Sequence, residues 1–482
     1  MTPLFLPFFL LNLLFGCPYV LLRDGATCRH IDTGLYILTQ HQIPTTTYTW
    51  SINPAYPWLT HELGTDVLFG LMYQLFGLNG VVVAGALPLG IALLCTLVLG
   101  RMRGLGRFSA WIFWIPVFLC TTIHWSARPH AISYVLFLAF YYLAFVSKAT
   151  PLKKALICGV LSILWVNFHG SVVLALLILG SKLAGDLLDL ILRRKVDSQT
   201  EPPNFKWQNF NWQAYLLPLA ATFLGSLLNL RGLAFWDYLF AYLSHPQITQ
   251  KGLEWAPFDI KMFPGSPAYL VLIALWLGLN LAARFLPPTA ELLLFVAFAG
   301  SGFMSARLMP YLALLALPSF GPAWQKLRGG APVSAKKNGM VPWFVSAFLT
   351  LLVIAVYLFD GQYKQQDMYV ATQPTKTVKC IESLPPETQG FNYDNWGPYI
   401  YFRLHRKIFV DEKTDFYPSQ FISDYKVMLG AEKGWQALFD KYKLQFALVP
   451  KNGPLDHALG QEKNWRRVEE DEAGVFYLRA AN

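Results

Sequence analysis

Eleven apolar runs separated by short polar connections dominate the first 361 residues of this sequence. Spanning about 30 Å of hydrocarbon takes about 20 apolar residues, and fewer where protein covers a helix end. The runs therefore predict a polytopic α-helical membrane protein with about 11 transmembrane helices. They lie at residues 2–22, 79–100, 108–123, 129–147, 155–168, 171–190, 212–229, 267–283, 289–304, 308–321 and 341–359.

The composition excludes an ordinary soluble protein. Hydrophobic residues make up 54% of the 482-residue chain and charged residues only 14%, whereas soluble domains carry about 25% charged residues. The net charge of +10 would suit nucleic acid in a soluble protein, but here the basic residues lie in short loops, where they set orientation. We therefore predict no nucleic-acid partner. The N-terminal run lacks a basic segment and a small-residue cleavage site, which indicates a retained first helix.

Basic residues are distributed unequally between alternate connections. Counted from a cytoplasmic N-terminus, the inside connections hold fifteen Lys and Arg residues, and the outside connections before the C-terminal region hold seven. Because cytoplasmic loops are enriched in basic residues, we predict an integral cell (inner) membrane protein with a cytoplasmic N-terminus. An odd helix count then places the C-terminal region outside. Seven of the nine histidines fall in or beside the predicted outside connections, which indicates a titratable face there.

The sequence predicts two domains. Residues 1–361 form a transmembrane domain with a large first outside loop at 22–78, and residues 362–482 form an extracytoplasmic α/β domain in which charges are frequent. In the loop, apolar spacing of three and four residues predicts an interfacial helix over 61–77 and a weaker one over 29–40. In the C-terminal domain, strands are predicted at QGFNYD, KIFVDEK, LQFALVP and GVFYLR, and helices at 418–430, 433–442 and 454–462.

Asp24 is the leading candidate for a catalytic base. It follows the first helix directly, and Gly25 after it leaves the backbone free to turn. A carboxylate at the membrane face can accept the proton of an acceptor hydroxyl within hydrogen-bond distance. The structural alternative is a helix-end carboxylate paired with Arg23. Glu62 and His30 are the alternative catalytic bases.

Three arginines stand at the outside ends of predicted helices: Arg128 in SARPH, Arg231 in LLNLRG and Arg307 in SARLMP. A guanidinium stays charged and donates two parallel hydrogen bonds to a phosphate. We therefore expect these side chains to bind the phosphate of a lipid-linked substrate. The alternative for each one is an interfacial arginine whose charged end reaches lipid headgroups.

Three further residues are predicted to bind substrate from the outside connections. They are His130 in ARPH, His169 in WVNFHGS and Glu254 in LEWAPF. Tryptophans next to two of these residues are typical of interfacial anchors, although an aromatic ring beside a polar group also forms a platform for a sugar. In the C-terminal domain, Asp411 and Asp415 of FVDEKTDF are interpreted as a solvated turn at the end of a strand.

The familiar nucleotide and hydrolase motifs are missing from the sequence. No P-loop, GxSxG, HExxH or dinucleotide fingerprint is present, so nucleotide hydrolysis and serine hydrolase chemistry are unsupported. The cofactor is left open. Acidic first-loop residues could hold a divalent cation, but no ligand set is spaced convincingly, and the six cysteines form no CxxC pair. No metal site is predicted.

Several segments together resemble the GT-C superfamily of membrane glycosyltransferases, which includes protein O-mannosyltransferases and lipid A aminoarabinose transferases. The similarity of plan covers nearly the whole chain, from a first helix and a large first loop to an outside C-terminal domain. A bacterial branch of GT-C-like proteins is most similar, with a C-terminal segment like NYDNWGPYIYF followed by FVDEKTDFYP. The other segments are RHIDTGLYILTQHQIP, PWLTHELGTDVLF, ARPH, WVNFHGS and SARLMP.

The resemblance implies a glycosyltransferase with a polyprenyl-phosphate sugar donor. It further implies inverting transfer on the outer membrane face to a lipid, glycan or protein acceptor, with Asp24 as the base. Many GT-C enzymes carry adjacent acidic residues at this position, whereas this chain has Asp24 beside Arg23.

Two other functions stay open. A transporter or flippase for lipid-linked material would need polar residues at mid-membrane depth and usually repeat symmetry. A non-catalytic assembly protein would use its outside domain to bind a partner.

The candidate residues are expected to meet in a single polar cavity at the outer membrane face. Charges left unpaired in hydrocarbon are costly. We therefore predict that Asp24 and at least two of Arg128, Arg231 and Arg307 line one pocket that opens sideways to lipid.

Overall fold

The structure is a computed structural model that describes residues 2–45, 48–52, 59–192, 210–244, 255–330, 340–359, 372–413 and 417–480. Most of these residues are α-helical, and the strands lie in the C-terminal part. The helices are α1 Phe5–Gly16, α2 Ala26–Gln40, α3 Leu63–Met102, α4 Arg107–Thr121, α5 His130–Phe145, α6 Pro151–Phe168, α7 Val173–Ile191, α8 Gln213–Ser226, α9 Ala234–Ser244, α10 Ser266–Ala282, α11 Thr289–Met304, α12 Met309–Leu327, α13 Val341–Phe359, α14 Val378–Glu382, α15 Gly397–Leu404, α16 Ser419–Leu429, α17 Trp435–Lys441 and α18 Pro454–Gln461. The strands are β1 Gly390–Asn392, β2 Phe446–Pro450, β3 Trp465–Glu470 and β4 Gly474–Arg479.

A helix lies in each of the eleven predicted apolar runs, and these helices are α1, α3 to α8 and α10 to α13. Among the described residues, four segments are long and apolar enough to cross a membrane: Leu63–Met102, Pro151–Phe168, Gly170–Ile191 and Val341–Phe359. The chain is therefore an integral membrane protein. Several other helices of the set are shorter, and the 16 residues of α5 rise only about 24 Å. The count of about 11 transmembrane helices, the orientation and the inner membrane stay predictions.

The chain divides into two compact units, each built from separate segments. The first unit comprises Met1–Asn12, Ala86–Trp125 and Pro129–Ile354, and the second comprises Leu13–Gly85, Ser126–Arg128 and Ala355–Asn482. The second unit thus combines first-loop residues with C-terminal residues. The division into domains at residue 361 stays a prediction.

Small residues let helices of the first unit approach closely. In the contact between α6 and α8, a Cβ on Gly225 would lie 2.6 Å from the carbonyl oxygen of Gly159. In the contact between α7 and α11, a Cβ on Gly185 would lie 2.2 Å from the Cα of Ala290. Helices in membranes associate largely through such close packing, because lipid is as apolar as the side chains it would replace.

In the second unit, α2 packs against the first part of α3 at a pair of glycines. A Cβ on Gly34 would lie 1.8 Å from the carbonyl oxygen of Asp66, and one on Gly70 would lie 2.5 Å from the carbonyl carbon of Gly34. The helical path of α3 is interrupted at Gly77, where φ is 60° and ψ is −150°. This break agrees with the predicted end of a separate helix over 61–77. The location of that helix at the lipid interface stays a prediction.

A sheet in the order β1-β2-β4-β3 forms the centre of the C-terminal part of the second unit. β1 is parallel to β2, and β4 is antiparallel to both of its neighbours. Side chains from the strands and from α16, α17 and α18 form one buried apolar core. It includes Phe391, Tyr425, Phe439, Val449 and Tyr477.

Most of the predicted C-terminal elements are confirmed. QGFNYD, LQFALVP and GVFYLR contain β1, β2 and β4, and the three predicted helices correspond to α16, α17 and α18. The strand predicted at KIFVDEK is wrong. Among the described residues it makes only an isolated bridge, in which the Ile408 N–H donates to the Tyr48 carbonyl and the Trp50 N–H donates to the Ile408 carbonyl, each at 3.0 Å.

Candidate active site

Asp24 stands two residues before α2 and caps its first turn. Its Oδ1 accepts a hydrogen bond from the Ala26 N–H at 2.9 Å, which satisfies a backbone donor that a helix start leaves unpaired. Gly25 allows a close approach here, because a Cβ at this position would lie 1.7 Å from the carbonyl oxygen of Asn395. The Gly25 N–H also donates to Asn395 Oδ1 at 3.1 Å. The hydrogen bond of Asp24 to Ala26 and the contacts of its neighbour Gly25 with Asn395 therefore fix the position of Asp24.

Arg128 is the charged partner of Asp24. Its Nη1 lies 3.0 Å from Asp24 Oδ2, and the side chains are 19% and 23% exposed respectively. The backbone around Arg128 is fastened to the start of α2, because the Ala127 N–H donates to the Leu21 carbonyl at 2.7 Å and the Thr27 hydroxyl donates to the Ala127 carbonyl at 2.9 Å. Two residues predicted for the site from distant parts of the sequence thus form a partly accessible ion pair.

His30 and Glu62, the alternative bases, belong to a more buried group of charges. His30 Nδ1 lies 2.6 Å from Asp66 Oδ1, and the Thr60 hydroxyl donates to the other oxygen of Asp66 at 2.6 Å. His30 Nε2 lies 3.7 Å from Glu62 Oε2. With only 1% of His30 and 7% of Glu62 exposed, neither side chain offers a surface to a substrate in this arrangement.

Arg29 joins the members of this group. Its Nη2 lies 3.5 Å from Glu62 Oε2 and 3.3 Å from His30 Nε2, and its Nε donates to Glu412 Oε1 at 2.6 Å. A neutral His30 that donates from Nδ1 to Asp66 leaves Nε2 as an acceptor for Arg29, so the contacts favour one tautomer. A permanently charged guanidinium therefore connects the first loop to the C-terminal segment within the second unit.

The charges of this group set its protonation states. Burial, followed by the charge of Arg29, holds the pKa of His30 well below its ordinary value, and the charges of Asp24 and Arg128 also act on its ring. Burial opposes ionisation of Glu62, but His61 and the permanent charge of Arg29 act against burial, and the pKa of Glu62 is lowered to about 2. At neutral pH, the group holds a neutral imidazole beside an ionised carboxylate.

The burial of Asp411 contradicts the interpretation of FVDEKTDF as a solvated turn. Asp411 is only 1% exposed, and its Oδ1 accepts hydrogen bonds from the Tyr417 hydroxyl at 2.9 Å and the Lys413 N–H at 3.1 Å. The solvated interpretation of Asp411 is therefore wrong, because its carboxylate is enclosed by its own turn. Asp415 lies outside the described residues.

His130 and His169 lie in the first unit and both are buried. His130 Nε2 lies 2.6 Å from the carbonyl oxygen of His124. His169 Nδ1 lies 2.9 Å from the Ser133 hydroxyl and 2.7 Å from the Ser171 hydroxyl. These contacts account for both rings as parts of hydrogen-bonded networks, and their predicted role in substrate binding stays a prediction.

Arg231 and Arg307 also lie in the first unit, and each guanidinium stands over an aromatic ring. The guanidinium carbon is 4.3 Å from the ring centre of Tyr238 for Arg231 and 4.8 Å from that of Trp255 for Arg307. Such cation–π contacts orient a guanidinium. Convergence of these arginines with Asp24 in one pocket stays a prediction, and Glu254 lies outside the described residues.

The sequence interpretation missed several members of the charged group. Arg29 and Asp66 lie in the helices predicted over 29–40 and 61–77, and the sequence pattern assigns neither of them a role in the site. Glu412, Thr60 and Asn395 were not singled out. One signal was present in the sequence. Arg29 and Asp66 both lie in predicted helices, and a charged residue that is buried there needs a partner of opposite charge. In the described ranges, no group of three or more His, Cys, Asp or Glu side chains is arranged to hold a metal ion.

Comparison with known proteins gives matches only among solved structures. No protein-family model and no curated protein matches the chain. The oligosaccharyltransferase of Archaeoglobus fulgidus in its apo form matches with a TM-score of 0.48 and 14% identity, over 89% of this chain and 66% of that chain. ArnT from Cupriavidus metallidurans bound to undecaprenyl phosphate matches with a TM-score of 0.47 and 13% identity, over 94% of this chain and 93% of that one.

Both of these proteins are GT-C superfamily members. This is the superfamily that the sequence motifs resemble. The chain spans just under two thirds of the length of the archaeal oligosaccharyltransferase. With identities of 13–14% and TM-scores below 0.5, the similarities carry no argument about the activity of this chain.

Proposed function

We propose that the chain is an integral membrane glycosyltransferase that moves a sugar from a polyprenyl-phosphate-linked donor to an acceptor on the outer membrane face. The observation that carries the proposal is the ion pair of Asp24 and Arg128. It combines a carboxylate able to take a proton with a cation suited to phosphate, at 3.0 Å and with both side chains partly exposed. The GT-C-like motifs of the sequence supply the donor class.

Asp24 acts as the general base in this proposal. It takes the proton of the acceptor hydroxyl while the acceptor oxygen attacks the anomeric carbon of the sugar. The bond from that carbon to the phosphate oxygen breaks, its electron pair stays on the phosphate, and the configuration inverts. Of the three predicted bases, Asp24 has the most accessible side chain, at 23% exposure against 1% for His30 and 9% for Glu62.

Arg128 has two roles in this sequence of events. Before the reaction, its guanidinium orients the Asp24 carboxylate through the ion pair. During the reaction, a guanidinium beside the base can bind the phosphate on which negative charge develops. His30 and Glu62 act as positioning residues, because both are buried and both contact Arg29 rather than an open surface.

The test uses full-length protein in membranes supplied with polyprenyl-phosphate sugars that are extracted from cells and radiolabelled in the sugar. Loss of a general base costs about 10²- to 10⁴-fold in rate, so Asp24→Asn should reduce label transfer by at least that lower factor. Asp440→Asn is the matched control, since it removes a carboxylate that is 62% exposed and pairs with Arg479.

Full transfer by Asp24→Asn would refute Asp24 as the base. Label that crosses the bilayer without reaching an acceptor, in wild type and variant alike, would identify a flippase instead. Both variants must elute as monodisperse protein in size-exclusion chromatography, so that misfolding is not counted as lost chemistry.

A further inference from the structure

A cavity of about 100 Å³ lies among the helices of the first unit, distinct from the group around Asp24. Its wall is formed by α5, α6, α7 and α8, and it is several times larger than a single water requires. Apolar side chains make up part of the wall, and two ammonium groups and a phenol supply the polar part. The polar part consists of Lys154, Lys182 and Tyr215, and the apolar part includes Leu143, Leu179 and Pro218.

The cavity carries more positive than negative charge. Lys182 pairs with Asp186 one turn further along α7, and the Tyr215 hydroxyl donates to the same carboxylate at 2.6 Å. That single carboxylate is therefore shared by two donors. Lys154 lines the same cavity as Lys182, so two ammonium groups face one carboxylate, and a further anion would balance the remaining positive charge.

The position of the cavity along the helices points to one membrane face. Leu143 lies near the end of α5, Lys154 in the first turn of α6, Lys182 at the middle of α7 and Tyr215 in the first turn of α8. Successive helices alternate in direction across a bilayer, so the positions on α5, α6 and α8 share one side, and the cavity extends from there to the middle of α7. The connection that precedes α6 contains Lys148 and lies on the predicted cytoplasmic side.

The outer surfaces of the same helices are suited to lipid chains. Leu156 on α6 is 65% exposed, and Leu216 on α8, next to Tyr215, is 49% exposed. Apolar side chains exposed on helices of a membrane protein contact acyl chains. A headgroup in the cavity would therefore have a lipid-covered surface beside it for its tails.

We propose that this cavity is a binding site for a phosphate group, held by the ammonium groups of Lys154 and Lys182. Basic pockets between transmembrane helices on the cytoplasmic side are suited to anionic headgroups, and a lysine binds phosphate as a point charge. The phosphate can come from the diester of an anionic phospholipid or from a soluble phosphate. The site lies apart from the proposed transfer reaction and does not depend on it.

Lys153 offers a matched control within the same helix turn. It has the same charge as Lys154 and is its direct neighbour, but it is exposed and does not line the cavity. Lys153→Gln and Lys154→Gln therefore each remove one positive charge from the first turn of α6. Only the second variant removes it from the proposed site.

The experiment is native mass spectrometry of the full chain in a neutral detergent, titrated with phosphatidylglycerol, phosphatidylcholine or inorganic phosphate. A cation near a membrane surface contributes enough to anionic-lipid binding for its loss to weaken the affinity about 5-fold. Lys154→Gln should show this loss for phosphatidylglycerol, Lys153→Gln should bind like the wild type, and Lys154→Arg should retain binding.

The outcomes separate the two sources of phosphate. Preferential binding of phosphatidylglycerol over phosphatidylcholine that depends on Lys154 supports a lipid headgroup. Binding of inorganic phosphate that depends on Lys154, without that lipid preference, supports the same site with a soluble anion. Equal effects of Lys153→Gln and Lys154→Gln, or the absence of any anion preference, would overturn the proposal.

Discussion

The ion pair between Arg29 and Glu412 leads to a quantitative prediction about stability. Glu412→Gln leaves the Arg29 guanidinium, which is only 8% exposed, without its nearest carboxylate. Removing one member of a buried ion pair costs about 3–5 kcal/mol. Glu62 stays 3.5 Å from the same guanidinium and compensates in part. We therefore expect the free energy of unfolding to fall by about 3 kcal/mol, the lower end of that range.

The measurement is unfolding of the detergent-purified protein by titration with SDS, followed by tryptophan fluorescence. Asp440→Asn is the control, because its pair with Arg479 is exposed and such pairs contribute at most about 1 kcal/mol. A cycle with Arg29→Gln and the double variant isolates the interaction between Arg29 and Glu412. If Glu412→Gln lowers the free energy of unfolding no more than Asp440→Asn does, the ion pair of Arg29 and Glu412 does not stabilise the second unit as argued.

Two further predictions concern pH and packing. Because His30 has a folded pKa below its ordinary value of 6.5, the unfolded chain binds the proton first, and stability is lost as pH falls below about 6.5; His30→Gln should flatten that part of the unfolding profile. Glu62, with a pKa lowered from 4.5 to about 2, contributes stability that is present above pH 4.5 and lost as the pH falls toward 2. Glu62→Gln should therefore flatten the acid limb of the profile. An unchanged slope in either variant contradicts the pKa shift assigned to the residue that was replaced. Gly34→Ala would place a Cβ 1.8 Å from a backbone oxygen, and in the same assay it should lower the free energy of unfolding by about 1–3 kcal/mol or more. Gly16→Ala is the control, because nothing lies within 4 Å of its Cβ, and it should not lower the free energy of unfolding. Equal effects of the two variants would refute the close packing of α2 on α3.

The helices could be predicted from the sequence because their signal is local. Apolar runs and three- and four-residue spacing depend only on neighbouring residues, and helices occur in every predicted run. The same reasoning missed β3. Its residues WRRVEE are exposed after the first one, since β3 lies at the edge of the sheet, where charged side chains discourage pairing with other chains. An edge strand of this kind has no apolar pattern to detect.

The KIFVDEK segment shows the opposite failure. Ile408, Phe409 and Val410 are all buried, at 3%, 0% and 1% exposure, so the apolar residues of the segment do belong to the core. The segment nevertheless pairs with first-loop backbone at one isolated bridge instead of joining the sheet. Backbone pairing partners are chosen by tertiary contacts that no local pattern contains.

The candidate site divides in the same way. Asp24 and Arg128 could be proposed because each stands at the end of an apolar run, a position that is visible in the sequence. The role of Arg29 could not be predicted, because it depends on Glu412, a residue 383 positions away. Charge pairing across such a separation becomes visible only when the chain is folded.

That same separation has a consequence for biosynthesis. A ribosome that adds about 5–20 residues per second makes Glu412 about 20 to 80 s after Arg29. During this interval, the start of α2 lacks both Glu412 and the Asn395 side chain, which accepts a hydrogen bond from the Gly25 N–H. The second unit can therefore be completed only after most of the protein has been synthesised. Chains that stop before residue 395 should carry an unfinished first loop, exposed to proteases and available to chaperones, while their earlier helices are already in the bilayer.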